Sequence, residues 1–247
     1  YPYNNAGGTT IFSVRDIAAI PDIMFGVADN SGSSTSHLML YSPIMAEDGK
    51  IWLNNNLGAH YANINHASFN PSQQATSATD YLAYGSLFQW GRKADGHELI
   101  TYTSSTVGTP VNNTTTAILN NAPTHALFIT GNDWRTTQDD SLWNPGSANN
   151  PCPSGFRVPT QTEQASLVTA ARITNVSTSA SSTLKFTAVG NRAISDGSLA
   201  NLSSFGHYWS SSPVIGFTSA YLTKFDSSVS SLNNFRSYGF SVRCIKN

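Results

Sequence analysis

Glycine, proline and clusters of Asn and Ser interrupt this chain about every 8 to 15 residues, a punctuation that marks turns. It limits the fold more than any other feature does. A helix needs an unbroken 3.6-residue pattern over ten or more positions, whereas a strand is complete in five or six. Short strands and long loops are therefore expected, not a helical bundle. With 247 residues the chain is long enough to bury a substantial core.

Several elements can be placed between the breaks. "HLMLYSPIM" (37–45) and "KIWLNNNLG" (50–58) predict two strands joined through Glu47-Asp48-Gly49, an acidic and glycine-bearing turn of hairpin type. "YLAYGSLFQWGR" (81–92) predicts a helix capped at Thr79 or Asp80, with Leu82, Leu87 and Trp90 as its apolar positions. The Thr- and Asn-rich 98–117 that follows reads as loop. The clearest helix start lies in "VPTQTEQASLVTAAR" (158–172). There Thr160 and Glu163 form a capping box ahead of Leu167, Val168 and Ala171. Strands are predicted at 182–193, 207–212, 220–225 and 238–246. The sum is one α+β domain over 1–247, a helix of about Thr160 to Arg172 on a small twisted antiparallel sheet with long ordered loops. Residues 1–36 are the one plausible separate piece, either packed on that domain or left from an upstream module.

Thirteen basic and fourteen acidic residues give a net charge of -1, which argues against a nucleic-acid or anionic-membrane partner. Only 11% of residues are charged, so Ser, Thr and Asn must cover much of the surface. Such a surface suits an extracellular or virion setting. No apolar run reaches the roughly 18 residues that a membrane-spanning helix needs. The chain opens at Tyr1, which suggests a processed or trimmed product whose targeting segment is missing. Cys152 and Cys244 flank no CxxC; in an exported protein they would pair across a long loop, and otherwise they are two buried free thiols.

Catalytic and metal-binding patterns are absent from the sequence. His37, His60, His66, His97, His125 and His207 show no HExxH-type spacing, so each reads as a surface or hydrogen-bonded loop residue. Asp95-Gly96-His97 and Asp139-Asp140 are turn elements without the alternating oxygen ligands of a calcium loop. In "NDWR" (132–135) Asp133 pairs with Arg135 or caps a turn while Trp134 packs. Asn112, Asn113, Asn175 and Asn201 meet the N-x-[ST] pattern as expected by chance in an Asn/Ser/Thr-rich chain. No cofactor or metal is expected.

Six segments in order, "IWLNNNLGA" (51–59), "YGSLFQWGR" (84–92), "NDWR" (132–135), "NPCPSGFRVPTQTE" (150–163), "GHYWSSS" (206–212) and "GFSVRCIK" (239–246), resemble the FISUMP-type major paralogous domain of bacterial surface proteins. That domain is similar in turn to the C-type-lectin-like fold of formylglycine-generating-enzyme type. The likeness covers about 37–247 and implies a C-type-lectin-like fold. It does not extend to formylglycine chemistry, since the stretch Asn233 to Gly239 contains no cysteine, nor to calcium-dependent sugar binding, whose signatures are absent.

The same pattern resembles the variable proteins diversified by retroelements in phages and bacteria, in which a C-type-lectin-like scaffold ends in a mutagenised segment. The resemblance implies a binding surface made by His207, Val214, Ile215, Gly216, Phe217, Thr218, Ser219, Tyr221, Thr223, Asp226, Leu232, Asn233, Asn234, Phe235, Ser237 and Tyr238. It would be displayed on a phage particle or bacterial envelope and contact a protein or glycan on another cell. Phe217 and Phe235 are expected to be exposed, Leu222 and Phe225 buried, and Trp52, Trp90, Trp134, Trp143 and Trp209 to hold the scaffold. A bacterial surface or fimbrial-type structural protein or lipoprotein with a fixed C-terminal segment is the alternative.

Overall fold

A computed structural model describes residues 2–4, 10–13, 19–28, 33–118 and 125–247, with side chains for 19–22, 38–118 and 125–247. Small sheets dominate and helices are few. The longest described helix, Gln161–Ala170, begins where the capping box predicts. Thr160 Oγ1 accepts from Glu163 N at 3.2 Å, and Glu163 Oε2 accepts from Thr160 N at 2.9 Å. Leu167 is buried, and Val168 and Ala171 pack beside it. Burial alone would raise the Glu163 pKa, but Arg157, the Thr160 N–H and Lys50 outweigh it and hold the carboxyl well below the usual range.

Three sheets make the body. One has the order Phe156–Arg157, Ile245–Lys246, Ile51–Leu53, Pro43–Met45; a second runs Leu199–Ala200, Asn191–Arg192, Gly239–Phe240, Phe88–Gln89. The third consists of Gly206–Pro213, Ser219–Phe225 and Val229–Phe235 in that order. The C-terminal stretch stitches all three together. Its first half pairs in the second sheet and its end in the first. Between them Ser241 exchanges main-chain hydrogen bonds with His207 and Trp209 at 3.0 Å. What reads in sequence as one strand over 238–246 is thus two short strands in different sheets. A single segment with three sets of partners cannot stay in one ladder.

Two other expectations change. Over 81–92 there is one turn of 3-10 helix at Tyr81–Ala83, capped by Asp80, and then a strand at Phe88–Gln89. Gly85 lies at φ +73° with Leu57 O 2.3 Å from where a Cβ would stand, so the backbone turns and passes close there. The following amides find tertiary partners, Ser86 N on Leu57 O and Leu87 N on Glu98 O. Over 182–193 only Asn191–Arg192 is strand, because Thr187 N donates to Tyr208 Oη and Ala188 N to Ala78 O instead of to a ladder. The expected hairpin is present but shorter, Pro43–Met45 against Ile51–Leu53. Residues up to Tyr41 pair instead with Ile20–Ala28.

All five tryptophans are buried, at 1% exposure or less. Each indole N–H has an acceptor: Asp48 for Trp52, Ser210 O for Trp90, Trp90 O for Trp134, Arg92 O and Asn149 O for Trp143, and Phe88 O for Trp209. Asp133 caps a turn through Arg135 N. Among the described residues Arg92, Arg192, Arg236 and Arg243 are also buried, which leaves the surface poorer still in charge. Cys152 and Cys244 form a disulfide across 92 residues, so the free-thiol alternative falls. Ala19 is buried and Ile20 packs on the main core; residues 1, 5–9, 14–18 and 29–32, over which packing of the N-terminal piece was also expected, lie outside the described residues.

Candidate binding surface

The stretch 214–238, irregular as text, folds into the outer part of the third sheet. Ser219–Phe225 buries side chains on both faces, Ala220 and Leu222 on one and Thr223 and Phe225 on the other. Ala220 and Leu222 join Trp209 and Phe240 in one core cluster, while Phe225 joins Tyr208, Phe186 and the helix residue Leu167 in another. On the helix side Thr223 Oγ1 donates to Gln164 Oε1 at 2.9 Å. Val229–Phe235 pairs with it over seven residues in unbroken register, from Phe225↔Val229 to Ser219↔Phe235. This strand was not expected, because its Ser- and Asn-rich text has no alternation of apolar and polar residues. With most of its length in solvent there is no buried face to impose one; the neighbouring strand and the Asp226–Ser228 turn set the register.

The structure divides the expected contact residues. Ile215, Gly216, Phe217, Leu232, Asn233 and Phe235 are exposed, and Val214, Thr218, Ser219, Tyr221, Asp226, Asn234 and Tyr238 are half-buried. His207, Thr223 and Ser237 are buried and form no part of a contact surface. His207 stacks on Phe240 with ring centroids 4.9 Å apart and meets Gly190 O at 3.2 Å. Burial, with Lys224 nearby, takes its pKa down to about 4. Thr223 is held by Gln164, and Ser237 lies beside Gln89, whose amide donates to the Ser237 carbonyl. Phe217 and Phe235 are 64% and 38% exposed, while Leu222 and Phe225 are buried, as read from the sequence. Of the seven large hydrophobic side chains exposed among the described residues, four fall between 215 and 235: Ile215, Phe217, Leu232 and Phe235.

Arg236 builds the tip of this surface, a role that nothing in its neighbouring residues signals. Its main-chain N–H donates to Thr218 O, and its guanidinium donates to Phe217 O at 3.2 Å, Ser219 O at 3.3 Å, Asp139 O at 2.9 Å and the Asp140 carboxylate. The loop Val214–Thr218 is thereby clamped to the end of the edge strand and to the 133–143 loop. Gly216 takes φ +79° at the apex, where nothing lies within 4 Å. Because Leu232 pairs opposite Leu222 while Phe235 pairs opposite Ser219, the two project from opposite faces, and apolar surface wraps the edge.

Asp95, His97 and Glu98 are the one group of three metal-capable side chains among the described residues, with ligand atoms within 4.8 Å. The arrangement already satisfies itself. His97 Nε2 accepts from Gln89 N at 2.9 Å, so Nδ1 carries the proton and meets Asp95 Oδ1 at 2.6 Å. Arg92 holds Asp95 through both oxygens. Although burial works the other way, His97 and Arg92 bring the Asp95 pKa down to about 2. Glu98 Oε1 alone is without a partner, too little to hold a cation, and no nucleophilic hydroxyl or thiol is bonded to His97. The group is a buried polar support under the second sheet. No helix among the described residues is long and apolar enough to cross a membrane. No family model, curated protein or solved structure matches this chain.

Proposed function

We propose that this chain is a ligand-binding protein of C-type-lectin-like fold, displayed outside the cell on a bacterial envelope or phage particle. It binds a protein or glycan through the surface around Ile215, Phe217, Leu232, Asn233 and Phe235, and that segment is diversified by a retroelement. The observation behind the reading is that four of the seven large hydrophobic side chains exposed among the described residues gather on the loop 214–218 and the edge strand beside it, among mostly small and polar neighbours. Aromatic anchors among Ser and Asn are the composition of a paratope, where rigid rings give contact area and small polar groups give adaptable hydrogen bonds. The support beneath it suits replacement at the surface, because the buried Trp209, Leu222 and Arg236 hold the backbone without help from the exposed side chains. The Cys152–Cys244 disulfide fits an oxidising compartment.

Sequencing this locus from one mixed population tests the proposal. Substitutions gathered at adenine-bearing codons for the exposed positions of 214–235, with Trp209, Arg236 and Gly239–Cys244 fixed, are the expected result. Variation spread evenly along the chain, or none, overturns diversification and leaves a surface protein with a fixed segment.

A further inference from the structure

The edge strand Val229–Phe235 has one side that pairs with no other strand among the described residues. Hydrogen bonds from Arg236 N to Thr218 O and from Asp226 N to Ser228 O lie at the two ends of its register on Ser219–Phe225, and together they fix the phase of the ladder. Even-numbered residues turn their N–H and C=O toward Ser219–Phe225, and odd-numbered residues turn theirs away. Phe235 uses its outward groups locally, its N–H on Asn234 Oδ1 at 3.0 Å and its carbonyl on Tyr238 N at 3.1 Å. Ser231 and Asn233 have no main-chain partner among the described residues.

Natural sheets protect such edges with a Lys, a Pro or a bulge. Val229–Phe235 contains no charged residue and no proline, and it pairs without a register shift. It is an uncharged, bulge-free template for another strand.

We propose that this strand pairs antiparallel with the same strand of a second copy, about a two-fold axis at Leu232. Only odd-with-odd pairing puts the outward groups of both copies into hydrogen-bonded pairs, and the arrangement centred on Leu232 overlaps the whole strand. Ser231 of each copy then exchanges main-chain hydrogen bonds with Asn233 of the other. Leu232, 42% exposed in the single chain, meets its twin across the axis. No ionised side chain in either strand opposes the approach, and a two-fold contact closes on itself rather than growing into a fibre. Because main-chain groups make the seam, one uncharged, non-proline side chain there can replace another without abolishing it, whereas a charge opposes the approach. The two tips carrying Ile215 and Phe217 come to opposite ends of one continuous sheet, a bivalent display.

Sedimentation velocity of the full chain, from roughly 10 µM to roughly 1 mM to span weak association, should show the mass rising from monomer to dimer. Asn233→Pro removes an outward N–H and no donor of the ladder with Ser219–Phe225; Asn233→Lys keeps the backbone and adds the usual edge charge. Each should raise the dimerisation midpoint by about tenfold or more with an unchanged far-ultraviolet circular dichroism spectrum. A monomer throughout the range, or a dimer that persists equally in the folded variants, overturns the proposal. Should Asn233→Pro fail to fold, Asn233→Lys decides alone.

Discussion

Arg236 lays its guanidinium over Trp90, 4.4 Å from the ring centroid. The residue that clamps the exposed tip therefore rests on one of the most deeply buried side chains of the core. Burial, aromatic stacking and hydrogen bonds to Phe217 O, Ser219 O and Asp139 O all meet at one fork. Arg236→Met should cost about 2–4 kcal/mol, since it strands several acceptors at once. Arg236→Lys should recover less than half of that, because one ammonium cannot serve a planar fork's acceptors. Urea unfolding of both variants checks this; equal stability of Met and Lys variants would mean that packing, not the fork, holds the tip.

Exposed and buried aromatics on the same hairpin should respond in opposite ways. Phe217→Ser is expected to stay within about 0.5 kcal/mol of the parent, whereas Phe225→Ala, which opens the cluster with Tyr208 and Phe186, should cost about 3–5 kcal/mol. Thermal and chemical denaturation of the pair would contradict the described packing if the two losses were alike.

The Cys152–Cys244 disulfide spans 92 residues, and the chain-entropy treatment gives it about 4.6 kcal/mol. Reduction should lower the melting temperature by roughly 10 °C in a chain of this size. Calorimetry with and without reductant measures it, and a shift under about 2 °C would show that the loops it joins are already fixed by packing.

His207 links stability to pH. Burial lowers its folded-state pKa to about 4 from the ordinary 6.5, so between those values the unfolded chain binds the proton and the folded chain does not. Its contribution is full above pH 6.5 and is lost as pH falls toward 4, by at most about 3 kcal/mol. Burial and the adjacent His66 lower His60 to about 4 as well, and its effect has the same sign. Stability measured from pH 7 to pH 4 should fall, less steeply in His207→Gln; an unchanged slope would remove His207 as its source.

Removing the charge from the helix's capping box should be mild and local. Glu163→Gln keeps an acceptor for Thr160 N but loses the pairings with Arg157 and Lys50, for about 1 kcal/mol. A loss above about 3 kcal/mol in urea unfolding would point to a role deeper than capping.

By itself the sequence determined the local features: the capping box at Thr160, the Glu47-Asp48-Gly49 turn, the strands within 207–212 and 220–225, the burial of five tryptophans and the exposure of Phe217 and Phe235. The cap, the turn and the strands follow from residues within a few positions of one another, where hydrogen-bonding capacity and apolar periodicity act directly; the tryptophans and the two exposed phenylalanines are expectations of the resemblance. Tertiary structure decided the rest. The 81–92 helix gave way because Gly85 and the following amides found partners at Leu57 and Glu98, far off in sequence, and 238–246 was divided between two sheets. It removed His207, Thr223 and Ser237 from the contact surface, and it made a strand of Val229–Phe235, which carries no pattern because solvent imposes none. Arg236 is the sharpest case: an arginine in a polar run reads as surface, yet carbonyls from two loops and the face of Trp90 converge around it, and only the assembled fold brings those partners together.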